Sequence, residues 1–458
     1  MPGFSRRDFL KAACLTGAAA AAGCTDKPYK NLIPYVIPPE DIVPGEATWY
    51  ATTCRECPAG CGILAKNRDG HVIKAEGNPL HPVNGGKPWG KLCPRGQASI
   101  QNLYNPDRFR GPFKRSPEGR LEALSWEDAE KLFLEQITPI VQKGRGERVV
   151  FLTQLITGTR KDLVDRWLGA LGSRNHIIYE TFAYEGLRKA NRQVFGTDAI
   201  PTYRIDEADF LLSFGANFLE TWLSNVQYAR QFMVFHELKE GGRNPFVYVG
   251  PRYSLTAANA DFWVQVAPEG QLQIARAIIR AVLDSGGGGD RRSQAEESVR
   301  EFSQSQLKRE TGVDEATIRS IAAMLTRSKR PLVIAEGLNC SDPQAAKTAA
   351  AANLLCSMFP GSRSLIDFAD YSSLSFASPL ARVGELAERM NRGEVDLLLL
   401  DGVNPVFHLP AAWGFSKGMK AVPMTVSFSS APDDTSEYAK LVLPTHTFYE
   451  TLGDYSPR

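Results

Sequence analysis

Cys54-Arg-Glu-Cys57-Pro-Ala-Gly-Cys61, followed after 31 residues by Cys93-Pro-Arg-Gly96, is the stretch that decides the fold. Three cysteines separated by gaps of two and three residues can line one tight loop. A fourth from a distant segment closes a cage of four sulfurs, as a cubane [4Fe–4S] cluster requires. Pro58, Gly60 and Gly62 suit a backbone that bends sharply and turns N–H groups toward the sulfurs. Two other uses compete. A structural zinc site normally shows paired Cys-x2-Cys units, and the second pair is missing. Two disulfides would normally space their cysteines farther apart. Cys340 and Cys356 stand alone among apolar residues, where a free thiol packs as a small hydrophobe.

The flanks of this stretch are legible too. Ile63 to Ala75 alternates in polarity and turns at Asp69-Gly70, which predicts a β-hairpin. Upstream, Ser5-Arg6-Arg7-Asp8-Phe9-Leu10-Lys11 precedes an uncharged run, Ala12 to Cys24, too short to cross a bilayer core. The basic-then-apolar order is that of an export signal, and the paired arginines resemble the twin-arginine type, which exports folded proteins. Ala21-Ala22-Gly23-Cys24 resembles a lipoprotein cleavage box with Cys24 as the acylated residue. Lys27 to Gly45 holds five prolines and reads as an extended tether.

Apolar residues make up 43 % of the 458 and charged residues 23 %, so collagen-like and wholly disordered chains are excluded. The net charge of +2 is contained in Arg6, Arg7, Asp8 and Lys11, which leaves the body neutral. A neutral body offers no bulk attraction for nucleic acid. From Arg148 onward, apolar runs alternate with helical patterns. Val149–Leu152, His176–Tyr179, Asp209–Phe214, Phe246–Val249, Pro331–Ala335 and Asp396–Leu400 read as buried strands, and four of them run straight into glycine turns. This predicts doubly wound, mainly parallel α/β domains with ligand loops at the carboxyl ends of the strands. Ser285 to Thr311, Gly-rich and then charged, reads as a solvated insertion.

The cysteine spacing, with Arg95 two positions after the last cysteine, resembles the N-terminal domain of the molybdopterin oxidoreductases (the dimethyl sulfoxide reductase family). Glu76-Gly77-Asn78-Pro79 and Gly96-Gln97-Ala98 are similar to that family as well. The resemblance implies that Arg95 lies on the electron path between cluster and pterin. It further implies that Gly215, Asn217, Arg252, Gly402 and Asn404 lie in loops contacting a molybdopterin guanine dinucleotide. Three departures bear on that cofactor. No thiol or hydroxyl of the usual metal-ligating kind follows Gly172-Ser173-Arg174-Asn175, where only Glu185 offers a ligand. Gly250 and Gln271 stand where the family has aspartates, which removes two charge-assisted hydrogen bonds. From Leu443-Pro444 onward the chain reads like the middle of a domain, so the C-terminal part of the family fold, with its further pterin-binding domain, is expected beyond Arg458.

Asn217 to Arg230 and Leu443 to Arg458 resemble the large iron–sulfur subunit of alternative complex III, although that subunit generally lacks N-terminal cysteines. The resemblance implies an export signal and tether over residues 1–46, a 4Fe–4S domain over 47–113 and an α/β body over 114–458. It implies an exported electron-transfer subunit of a membrane-associated quinol oxidoreductase complex, on the periplasmic side, without bound molybdenum. Its partners would be ferredoxin-like iron–sulfur subunits and quinone-binding membrane anchors, with no nucleic acid. Membrane association would run through those partners and an acylated Cys24. The alternative is a molybdenum or tungsten bis-pterin reductase acting on a small oxyanion or sulfur compound, with His176 and Glu180 near its metal.

Overall fold

The computed structural model describes residues 43, 45–86, 90–339 and 342–457; the expected export signal, Cys14, Cys24 and Cys340 lie outside them. Contacts divide the chain into two compact units. In the smaller, the described residues up to Thr48 join the hairpin tip Arg68–His71, where the Gly45 N–H donates to Asp69 Oδ1 at 3.1 Å. The larger comprises Trp49–Asn67 and everything from Val72 onward.

A three-stranded sheet of β1 (Ala47–Thr53), β2 (Gly62–Arg68) and β3 (His71–Gly77) carries the cysteine loop between its first two strands. The β2–β3 turn falls at Asp69-Gly70, both with positive φ, as a two-residue hairpin turn requires. The remaining strands are β4 (Phe113–Arg115), β5 (Leu121–Ala123), β6 (Val149–Thr153), β7 (His176–Ile178), β8 (Pro201–Tyr203), β9 (Phe210–Phe214), β10 (Phe246–Gly250), β11 (Phe262–Gln265), β12 (Pro331–Ala335), β13 (Ile366–Tyr371), β14 (Leu397–Asp401), β15 (Met424–Ser427) and β16 (Leu441–Val442). A seven-stranded sheet runs in the order β5-β4-β16-β15-β14-β6-β7, parallel except where β4 and β5 close one edge. A four-stranded sheet, β11-β10-β9-β12, is parallel throughout. Strands β8 and β13 pair antiparallel.

The continuous apolar runs follow from burial on both faces. In β14, Leu397 and Leu399 enter one core cluster while Leu398 and Leu400 enter another across the sheet. The four-stranded sheet is covered by helices Asn225–Phe235, Gln271–Asp284, Glu315–Arg327 and Ala345–Ser357, which contribute buried side chains to the largest core. Cys356 is fully buried there, as a free thiol acting as a small hydrophobe should be.

One expectation is corrected. Ser285 to Thr311 is not a solvated insertion: it forms helices Arg292–Ser298 and Gln304–Thr311, both packed on Gln271–Asp284. Few apolar residues occur in it, but Ala295 and Val299, one turn apart at the end of the first helix, and Leu307 on the second are buried in the main core. Leu307→Ala is therefore expected to destabilise the protein by about 2–5 kcal/mol, the range for a buried leucine. The check is chemical denaturation; an unchanged midpoint would return the segment to the surface.

Candidate metal centre and the adjoining cleft

The cysteine loop is closed by its own backbone. The Cys54 N–H donates to the Cys61 carbonyl at 2.8 Å, so the loop leaves β1 and enters β2 at one point. Gly60 adopts φ +59°, and a side chain there would collide with Tyr455 and Pro457. The buried amide of Asn84 braces the centre. Its Oδ1 accepts from the Gly62 N–H at 2.7 Å, and its Nδ2 donates to the carbonyls of Gly62 (2.8 Å) and Lys91 (2.6 Å). Asn84 thus ties the segment after Cys61 to the segment before Cys93.

All four cysteines belong to one core cluster, with Cys54 and Cys61 buried and Cys57 and Cys93 half-buried. None of the five described cysteines forms a disulfide. Backbone N–H groups face the sulfurs: Glu56 donates to Cys54, Ala59 to Cys57, and Gly96 to Cys93 Sγ at 3.5 Å. Burial pushes the Cys54 thiol up to about 12, and the charges of Cys57 and Cys93 add to the rise. Burial likewise raises Cys61 and Cys57, against which the nearby Arg95 charge favours the Cys57 thiolate. Such thiols stay protonated at neutral pH unless a cation takes the place of their protons.

Three thiols from one tight loop and a fourth from a distant segment, with backbone N–H groups aimed at them, are the donor set that a cubane takes.

A cleft of about 840 Å³ opens beside the loop, lined by Arg55 and Glu56 from between the cysteines and by residues at the carboxyl ends of β6, β14 and β15. Its floor is charged. Arg160 pairs with the buried Asp401 at 2.7 Å, and Arg55 Nη2 donates to the Leu155 carbonyl at 3.2 Å. The Glu180 carboxylate accepts the Leu155 N–H at 3.0 Å. Burial raises the pKa of both Glu180 and Asp401, while Arg55 and Arg160 oppose the rise. Asp454 caps the helix Gly158–Ala170: its carboxylate accepts the Thr159 N–H at 3.0 and 3.1 Å and the Thr159 hydroxyl at 3.0 Å.

The expected dinucleotide residues fall at two sheets. Gly215 (φ +68°), Asn217 and Arg252 follow β9 and β10 of the four-stranded sheet, whereas Gly402 (φ +66°) and Asn404 follow β14. Their polar side chains have partners within the chain. Asn217 Oδ1 accepts from the Tyr248 hydroxyl at 2.9 Å, and Arg252 pairs with Glu220 at 2.9 Å. Asn404 donates to Asp434 at 3.0 Å and accepts from Thr435 at 2.7 Å. Each of the three thus has a partner within the chain, while the Arg252 side chain remains exposed. Arg95 is exposed, with Nη1 3.4 Å from the Glu56 carbonyl. His176 is a satisfied core residue between Asp165 (2.6 Å) and Thr153 (3.0 Å). Glu185 accepts the Leu380 N–H at 2.7 Å. Asn84, Arg55 and Asp454 escaped the sequence reading; for Asn84 the one local signal is the Asn84-Gly-Gly86 run.

Comparison with known proteins adds a family context. Residues 47–105 match the molybdopterin oxidoreductase Fe4S4 domain, and residues 108–456 match the molybdopterin oxidoreductase domain. The chain is 27 % identical to the menaquinone reductase molybdopterin-binding-like subunit of Nitratidesulfovibrio vulgaris, over 98 % of this chain and 66 % of that protein. It is 26 % identical to the molybdopterin-containing subunit of the arsenate respiratory reductase of Shewanella sp., over 53 % of this chain and 28 % of that one. Acetylene hydratase from Pelobacter acetylenicus shares the fold, with a TM-score of 0.69 at 15 % identity over 88 % of this chain and 63 % of that one. The chain therefore covers less than two thirds of the length of each of these proteins.

Asn84→Ala removes the brace and leaves the buried Gly62 N–H unpaired, which is expected to cost about 1–3 kcal/mol. A thermal or urea midpoint equal to the wild type's would show that the two segments are held by something else.

Proposed function

The chain belongs to the molybdopterin oxidoreductase family, and from that premise we propose that it is an iron–sulfur electron-transfer subunit of an exported, membrane-associated quinol oxidoreductase complex whose molybdopterin-type scaffold works without bound metal. The observation that carries this reading is a contrast between two sites. The four thiols have N–H donors aimed at them, as a cluster needs, whereas Asn217, Arg252 and Asn404 each hold a partner within the chain. The likeness to a menaquinone reductase subunit described as molybdopterin-binding-like supports the same assignment.

Cys54, Cys57, Cys61 and Cys93 hold the cluster in this reading, and a cubane so held supplies reversible one-electron transfer. The N–H groups of Glu56, Ala59 and Gly96 favour the more negative, reduced state. Tyr449, whose hydroxyl meets Ser99 Oγ at 2.7 Å, and Tyr455, whose hydroxyl donates to the Pro58 carbonyl at 3.3 Å, cover the loop and keep water from the sulfurs. Arg95 keeps its proposed place on the electron path, next to Cys57 in the field of the loop. Partner subunits of ferredoxin-like and quinone-binding type would supply and accept the electrons. The twin-arginine segment would direct the folded chain to the periplasmic side, with Cys24 as a lipid attachment point.

A catalytic molybdenum or tungsten reductase is the second reading. The cleft beside the cysteine loop and the likeness to an arsenate reductase subunit favour it. Metal analysis of the purified chain decides: about four iron atoms per chain without molybdenum or tungsten are expected. Molybdenum or tungsten with extractable pterin would establish the second reading instead. Cys57→Ser is expected to abolish the low-temperature paramagnetic signal of the reduced protein, and an unchanged signal would remove Cys57 from the ligand set. For export, Arg6→Lys with Arg7→Lys is expected to trap folded precursor in the cytoplasm; normal export of the double variant would refute the twin-arginine assignment.

A further inference from the structure

The helix Gly158–Ala170 is not capped from its own sequence. Its N-cap residue, Thr157, makes no side-chain cap bond, and no acidic residue stands in its first turn. The exposed carboxylate of Asp454, 295 positions from Thr159, supplies the cap by accepting the Thr159 N–H at 3.0 and 3.1 Å and its hydroxyl at 3.0 Å. The exchange is reciprocal, because Thr157 Oγ1 accepts the Ser456 N–H at 2.9 Å. Between these two anchors the half-buried Tyr455 is aimed at the cysteine loop. Its hydroxyl donates to the Pro58 carbonyl at 3.3 Å, its ring lies where a Cβ at Gly60 would sit, and the charge of Cys57 acts on its phenol. The Pro457 carbonyl accepts the Ser373 N–H at 2.9 Å.

Residues 454–457 thus form a strap outside any helix or strand, tied to the α/β body by Asp454, Ser456 and Pro457 and laid over the loop by Tyr455. A segment held by so few bonds opens locally at far less cost than the whole fold unfolds. The charge-assisted bonds of Asp454 are the strongest of its ties. We propose that Asp454 is a positioning residue for the metal centre: by capping the helix Gly158–Ala170 it holds Tyr455 over the cysteine loop, and so sets how fast small reagents reach the group bound there. This rests on the reading that the four cysteines bind a cubane.

The test follows iron release from the reduced full chain to the ferrous chelator bathophenanthroline disulfonate. Asp454→Ala is expected to release iron about fivefold faster than the wild type, the factor that loss of a helix cap represents. Asp314→Ala removes a cap of the same kind from the helix Glu315–Arg327, where Asp314 Oδ1 accepts the Thr317 N–H at 2.8 Å, and is expected to release at the wild-type rate. Tyr455→Ala is expected to release faster too, and Asp454→Ala added to it to bring no further change, since the carboxylate acts through the ring. A wild-type rate in Asp454→Ala overturns the inference, as does equal acceleration by Asp314→Ala or full additivity in the double variant. Where a chain carries no iron, alkylation of Cys57 by iodoacetamide, read by peptide mass, makes the same comparison. Faster labelling in Asp454→Ala than in the wild type then supports the strap, and equal labelling overturns it. A wild type that binds no iron overturns the cysteine reading itself, which separates the two failures.

Discussion

Burying four thiolates side by side is the constraint on which the small domain turns. Each loses hydration on burial and each repels the others, which is why the Cys54, Cys57 and Cys61 thiols are pushed up and why the site, as a set of free thiols, would stay protonated. Iron bound as a cluster offsets both costs. The protein supplies the rest: a loop closed from Cys54 to Cys61, the Asn84 brace to the Cys93 segment, and N–H groups turned inward. The domain's small core, completed by Val226 and packed against Phe448 and Tyr449, has its rigidity from the same contacts.

The α/β body has a different physics. Its sheets are stabilised by apolar strands buried on both faces, and this frees their carboxyl ends to carry polar groups. Those groups are directed mainly at one another. Asp401 holds Arg160, Asp454 caps a helix, and Asn217 and Arg252 have partners of their own. Helix N-termini and arginines at strand ends are places where phosphates commonly bind. Here the chain's own carboxylates occupy the helix end at Thr159 and the guanidinium groups of Arg160 and Arg252. Electron transfer needs only a fixed, insulated path, and such a self-satisfied surface suits it.

How much of this was legible in the sequence depends on how local each feature is. The Asp69-Gly70 turn and the strands running into Gly215 and Gly402 depend on neighbouring residues, and the structure places them as expected. Ser285 to Thr311 misled because average polarity hides three buried residues on two short helices. Asn84, Arg55 and Asp454 were not legible because their partners lie between 7 and 400 positions away in the chain. Arg95 shows the converse: adjacency to Cys93 marks it in the sequence, yet it is Arg55 whose side chain turns into the body.

Iron-edge X-ray absorption of the purified protein tests most directly whether the buried sulfurs cradle a cluster. A first shell of sulfur alone, with iron–iron scattering behind it, is the result required. A shell of nitrogen and oxygen, or sulfur without any iron neighbour, would contradict it.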